Sequence, residues 1–201
     1  MISWIVASHH YPTLRDNLAA TMRGTGDDEV VVVENATSIA AAYNEGQDRA
    51  RNPIRCYVHH DVRILDARRL RAELVDACTS QVGMVGVVGS RTAVWPWWDG
   101  LTLGSVVDGR MGVLNLGSGG PCAVLDGLLL ATVHTVQWDE SYPGWHGYDH
   151  DMCAQMVAHG LSNLCLTDGY QMVHHNTDGP TNVGYVDGWA EAERRYREKW
   201  G

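Results

Sequence analysis

Three times within the first 90 residues an apolar run gives way to a stretch of helical spacing and then to another apolar run. Ile2–Ala7 ends at Ser8 and reads as a buried strand, and Thr13–Arg23 follows with Leu14, Leu18 and Met22 on one helical face. Glu29–Val33 carries consecutive valines, which predicts a strand covered on both faces. Ser38 can cap a helix through about Arg51 that turns Ile39, Ala42, Tyr43 and Gly46 to one side. Pro53 stops it and Ile54–Val58 reads as the third strand. Asp66 then opens a helix to about Thr79, with Leu70, Leu74 and Val75 inward, and Val82–Val88 is the fourth strand. Each unit is near the ~30 residues of a βαβ module. The expectation is an α/β domain with a mostly parallel central sheet, flanked by helices and joined by right-handed crossovers.

Ligands in such sheets sit beyond the carboxyl ends of the strands. Those ends are Ala7-Ser8, Val33-Glu34-Asn35 and Val58-His59-His60-Asp61, all polar where the sheet should stop. From Ser90 the texture changes: Arg91–Gly120 is rich in Gly and Trp, lacks periodicity and reads as a long functional loop. Pro121–Val133 is apolar but broken by Asp126-Gly127. Asp149–His159 has helical spacing, Leu164–Leu166 and Tyr170–Val173 read as short strands, and Asp187–Trp200 as a charged amphipathic helix. No repeat or linker divides the chain, so its 201 residues are expected to form one domain.

The chain has 15 Lys+Arg against 24 Asp+Glu, a net charge of -9 that disfavours a general phosphate-backbone binder. No apolar run is long enough for a membrane span, and Met1–Ala7 is too short for a signal peptide. Cys56, Cys78, Cys122, Cys153 and Cys165 are odd in number and widely spaced, which predicts reduced thiols in a cytoplasm rather than disulfides or a zinc knuckle.

Four constellations could carry chemistry. In His59-His60-Asp61-Val62 the acid can hold a hard cation at a strand end, or can simply form a turn beside two satisfied histidines. Asp149, within His146–Met152, stands at a loop-to-helix junction as a cap or as a general base. Asp151 lies two residues on and cannot share its helical face, so only one of the two would be the base. His174-His175, again after a short strand, could complete a cation site or be solvated. Trp95–Trp98 with Asp99 could stack on a sugar or a base, or form a buried lid or subunit contact.

In their order along the chain these pieces resemble the nucleotide-sugar glycosyltransferases of GT-A fold, in particular the small glycosyltransferase-like family 2 group. The resemblance runs from Ser3–Ser8 through Val31–Ser38, Ala42–Gly46, Tyr57–Val62, Met84–Arg91 and Leu125–Gly127. It continues through Trp138–Glu140, Gly144–Cys153 and His174–Gly179 to the closing Lys199-Trp200. It departs at two points, with His59 where the metal motif usually has its first Asp and Tyr148 where Glu usually precedes the base.

The resemblance implies a Rossmann-like GT-A domain, with residues 1–90 as the nucleotide-binding half and 91–201 as the acceptor and catalytic half. Ala7, Ser8, Glu34, Asn35, Asn44, His59, His60, Arg91 and Asp126 would line the donor pocket. Asp61 with His175, or its rival His174, would hold Mn²⁺ or Mg²⁺. Asp149, or else Asp151, would serve as base in an inverting transfer from a nucleoside diphosphate sugar such as a UDP-sugar. The acceptor hydroxyl would belong to a saccharide, a protein or a modified nucleobase, and the Trp95–Gly120 segment would form the acceptor side and a closing lid. Homo-oligomerisation stays open. Two other readings remain: a metal-dependent hydrolase of a nucleotide sugar or phosphoester, built on His59, Asp61, His174 and Asp149, and an inactive nucleotide-sugar-binding protein.

Overall fold

A computed structural model describes residues 1–19, 21, 26–95, 102–175 and 188–201. The first part of the chain forms β1 (Ile2–Ser8), a helical turn α1 (Tyr11–Leu14) running into a π-helical turn at Arg15–Ala19, β2 (Glu29–Glu34) and α2 (Ile39–Arg49). β3 (Ile54–Val58), β4 (Val62–Ile64), α3 (Ala67–Ala77), β5 (Val82–Gly86) and β6 (Val88–Ser90) follow. After them come β7 (Thr102–Asp108), β8 (Gly112–Asn115), β9 (Gly120–Cys122), β10 (Val124–Leu125) and β11 (Leu129–Thr132). α4 (Tyr148–Ala158), β12 (Ser162–Cys165), α5 (Gly169–Met172), β13 (Val173–His175) and α6 (Trp189–Trp200) complete the described elements.

The caps expected from sequence form. Ser38 accepts the Ala41 amide at 3.1 Å and Asp66 accepts that of Arg69 at 2.9 Å, each satisfying a donor the helix leaves open. Ile39, Ala42, Tyr43 and Gly46 are all buried. A Cβ at Gly46 would collide with the Ile5 side chain, so glycine lets α2 lie directly on β1.

The main sheet runs β2-β1-β3-β11-β5-β12-β9 and is mixed rather than mostly parallel. β1 pairs in parallel with β2 and β3, and β5 with β12. β11 enters antiparallel between β3 and β5, because the Asp126-Gly127 turn sends the chain back across the sheet. β2 is an edge strand with only Val31 and Val33 buried, so its valines are not covered on both faces. Val75 is 45% exposed on α3, and residues 170–172 form a helical turn rather than a strand.

The Gly-rich segment read as a loop contains β7 and β8. They belong to a second sheet, β10-β6-β7-β13-β4, with β8 paired to β7. Gly104 makes this possible: its φ is +86°, and a Cβ there would strike the Val87 carbonyl and the Cys165 sulfur. Trp95 is buried against Tyr142, Ala192 and Tyr196 beneath α6. Met22, Arg23, Pro96, Trp97, Trp98, Asp99 and Asn176–Gly179 lie outside the described residues. All five cysteines are free, and no described helix is long and apolar enough to cross a membrane.

Candidate functional site

The small sheet gathers charged groups at one end. β13 lies between β4 and β7, with His175 opposite Val62 on one side and Asp108 on the other. Asp61, just before β4, therefore stands next to His175, with its Oδ2 at 3.4 Å from the imidazole Nε2. His59 closes the end of β3, where its amide donates to the Leu128 carbonyl at 3.1 Å. One ligand atom each from His59, Asp61 and His175 fall within 4.8 Å of one another. His174 points the other way, as strand alternation requires, and does not join them.

The three side chains shift one another's proton affinity in opposite directions. Burial alone would raise the Asp61 carboxyl, but the His175 hydrogen bond and the neighbouring imidazoles pull it down to about 2. Burial lowers His175, yet the Asp61 hydrogen bond and charge outweigh it and raise the imidazole above its ordinary value. Burial holds His59 below its ordinary value, favouring the neutral ring a metal needs. Asp61 Oδ1 is buried without a hydrogen-bond partner, an orphan lone pair that a cation would satisfy.

A second arm comes from α4. Gly147 precedes it with φ +76°, a conformation that favours glycine. Tyr148 then reaches across so that its hydroxyl meets His59 Nε2 at 2.7 Å. Its ring lies over Gly127, where any Cβ would collide with the phenol. Asp149 follows, its Oδ2 accepting the Gly127 amide at 3.0 Å and its Oδ1 the His150 amide at 2.9 Å. His150 Nδ1 is 3.2 Å from the same Oδ1. Burial pushes this carboxyl up, but the His150 charge and these donors hold it below its ordinary value. Asp126 goes the opposite way, raised by burial and by the charge of Asp149. Asp61 and Asp149 are thus brought to the same region, linked through His59 and Tyr148.

On the other flank, Ser8 Oγ is 3.3 Å from His60 Nδ1, and the His9 ring packs on His60 at 4.7 Å. Trp145, 45% exposed, stands 5.9 Å from His9. Burial pushes His60 down to about 4. Unfolding therefore takes up a proton between the ordinary histidine value of ~6.5 and about 4. The His60 contribution is full above that window and is lost as pH falls through it, a change of up to about 3 kcal/mol. Urea unfolding at pH 7 and pH 5 should show the decline, and His60→Gln should flatten it. An equally steep decline in the variant would assign it elsewhere.

Ala7 is half-buried behind Ser8. Glu34 and Asn35 are exposed at the end of β2, Asn35 with φ +59°, and Arg91 is exposed at the end of β6. Asn44 grips the backbone of Trp138 through both its N–H and its carbonyl, at 2.9 and 3.0 Å, and donates to Glu140. Gln47, one turn on, does the same for Val136 at 3.0 and 2.8 Å. Asp151 is not brought to this group. It is 1% exposed and binds Tyr142, Gln155, Trp200 and Lys199, anchoring α6.

Sequence reasoning did not single out Gln47 or Asp108. Asp108 lay in the segment read as loop, although the apolar run Leu103–Val107 before it was a usable strand signal.

A family model described as a glycosyltransferase-like family matches residues 24–178. No curated protein matches the sequence. Among solved structures, GalNAc-T7 with UDP, GalNAc and Mn²⁺ superposes with a TM-score of 0.63 at 12% identity, over 98% of this chain and 48% of that one. The mannosyltransferase PcManGT from Pyrobaculum calidifontis, in complex with GDP-Man and Mn²⁺, gives 0.59 at 14% identity, over 90% and 57%. A197 from STIV gives 0.51 at 10% identity, over 88% and 86%. The chain spans about half the length of the first two. These likenesses establish a shared fold, that of GT-A glycosyltransferases.

Proposed function

This chain belongs to the glycosyltransferase-like family, and on that premise we propose that it transfers a sugar from a nucleoside diphosphate donor to an acceptor hydroxyl with inversion. The observation that carries the proposal is the proximity of a His-Asp-His trio, with Asp61 buried and both histidines half-buried, to the Asp149 carboxylate, linked by the 2.7 Å contact of Tyr148 with His59. The trio fits a divalent cation because Asp61 Oδ1 is buried and unpartnered. Two imidazoles beside one carboxylate suit Mn²⁺ better than Mg²⁺, which prefers oxygen alone. Both similar transferases named above were solved with Mn²⁺, in keeping with that choice.

His59 is engaged by Tyr148 at Nε2, and a cation would be held by its Nδ1. A cation held by His59, Asp61 and His175 would neutralise charge on the departing diphosphate. Asp149 stays ionised at neutral pH because its hydrogen-bond donors hold its proton affinity down. It takes the acceptor's hydroxyl proton as that oxygen bonds to the anomeric carbon. The bond from that carbon to the diphosphate oxygen breaks on the opposite face, leaving a nucleoside diphosphate and the glycosylated acceptor. Ser8, His60, Glu34 and Asn35, at the ends of β1, β3 and β2, face the donor's nucleoside. Trp145 offers an exposed indole face on which a sugar ring can lie.

One other assignment of the base has an observation behind it: Asp126, whose raised proton affinity makes it the stronger base of the pair.

Donor and metal can be tested by thermal shift with UDP, GDP and their sugars, with and without Mn²⁺. A nucleotide at 100 times its dissociation constant adds about 2.7 kcal/mol of stability. In a chain this size that is a rise of roughly 5–11 °C. The rise should need Mn²⁺ and should vanish in Asp61→Asn. A nucleotide response indifferent to Mn²⁺ and to Asp61→Asn would remove the trio from the donor site, and donor cleavage without a glycosylated product would favour hydrolysis.

A further inference from the structure

His175 stands between two carboxylates, and only one of them belongs to the trio. Asp61 Oδ2 lies 3.4 Å from Nε2, and Asp108 Oδ2 lies 3.4 Å from Nδ1. The register sets this up, because β13 and β7 run in parallel with His175 directly opposite Asp108. The Gly109 amide also donates to the His175 carbonyl at 2.9 Å, so backbone and side chain are fixed together. Asp108 Oδ1 is already committed, accepting the Arg110 and Met111 amides at 2.9 Å each in the β7–β8 turn. Its carboxylate therefore cannot rotate freely, and Oδ2 is presented to the imidazole.

We propose that Asp108 is a positioning residue for the metal site: it accepts the Nδ1 proton of His175 and so turns the Nε2 lone pair toward the cation beside Asp61. A histidine that binds metal through one nitrogen must carry its proton on the other, and a carboxylate there fixes both tautomer and ring orientation. The inference rests on the reading of His59, Asp61 and His175 as a cation site. It adds a residue that touches neither the cation nor the sugar.

Two variants separate this role from the turn. Asp108→Asn keeps an oxygen for the Arg110 and Met111 amides, which forces its NH2 toward His175. That donor faces Nδ1 and favours the tautomer with the proton on Nε2, the wrong one for metal. Asp108→Glu loosens the turn but keeps an acceptor for the Nδ1 proton. Mn²⁺ affinity of the full chain, measured with the metal alone by electron paramagnetic resonance of free Mn²⁺, should fall about 10–100-fold in Asp108→Asn. Asp108→Glu should recover most of it, while the metal-free melting temperature of Asp108→Asn stays at the wild-type value. Asp108→Asn binding Mn²⁺ as tightly as wild type, or more tightly than Asp108→Glu, would leave Asp108 a turn residue only and overturn the proposal. No Mn²⁺ binding by wild type would instead remove the cation site itself, and the proposal with it.

Discussion

Asp149→Asn should lower turnover about 10²–10⁴-fold at saturating donor, with donor affinity unchanged. The substitution keeps size and shape but removes the group able to take the acceptor proton. It also leaves three donors, the Gly127 amide, the His150 amide and His150 Nδ1, facing one oxygen instead of two. Part of the cost therefore falls on stability, which is why donor affinity must be measured beside turnover. Asp126→Asn is the matched comparison, since Asp126 precedes the Gly127 whose amide Asp149 accepts, and itself holds the Leu128 amide at 2.9 Å. If Asp126→Asn abolishes turnover and Asp149→Asn does not, the base is Asp126 and Asp149 is the group that tunes it.

Trp138→Ala should destabilise the fold by about 3–5 kcal/mol, the usual cost of removing a fully buried large aromatic. Trp138 is 1% exposed and packs on Tyr57 at 4.8 Å, Tyr43 at 5.1 Å and Tyr148 at 5.9 Å between ring centres. The cavity cannot collapse easily, because Asn44 pins the backbone on both sides of the residue. In a chain this size the melting temperature should drop roughly 6–20 °C in calorimetry. Tyr148 also loses a wall of its packing, so its grip on His59 should loosen. A drop of a degree or two would mean that the three tyrosines close the gap without Trp138.

The first 90 residues were legible because each element carries a local signal: Ser38 and Asp66 cap, Pro53 stops, and valine-rich runs alternate with helical spacing. The direction of β11 was not. All four of its residues are buried, and a strand covered on both faces has no side that reveals its orientation. β7 and β8 were hidden because Gly104, which looks like loop material, is what allows the strand to pass Val87 and Cys165. In the site, Asp61 and Asp149 could be singled out because one follows a strand and the other opens a helix, while His175 stood out only behind an apolar run that proved to be a helical turn, His175 itself ending β13. That His175 rather than His174 lies beside Asp61 follows from the pairing of β13 with β4, which a single sequence does not display. Asp151 carried the same local signal as Asp149, and only its distant partners Lys199 and Trp200 reveal that it anchors α6. Long-range pairing of side chains is what one sequence hides best.

β11 has a consequence for how the protein can be made and recombined. β3 and β5 share no edge, and the strand that bridges them arrives only after residue 128. A nascent chain that has delivered its first 90 residues to the ribosome exit carries the three-stranded β2-β1-β3 half of the sheet and a β5 that still lacks both of its neighbours. Gene fusions that swap everything after residue 90 must therefore import a replacement for Leu129–Thr132, or β3 and β5 will have no strand between them.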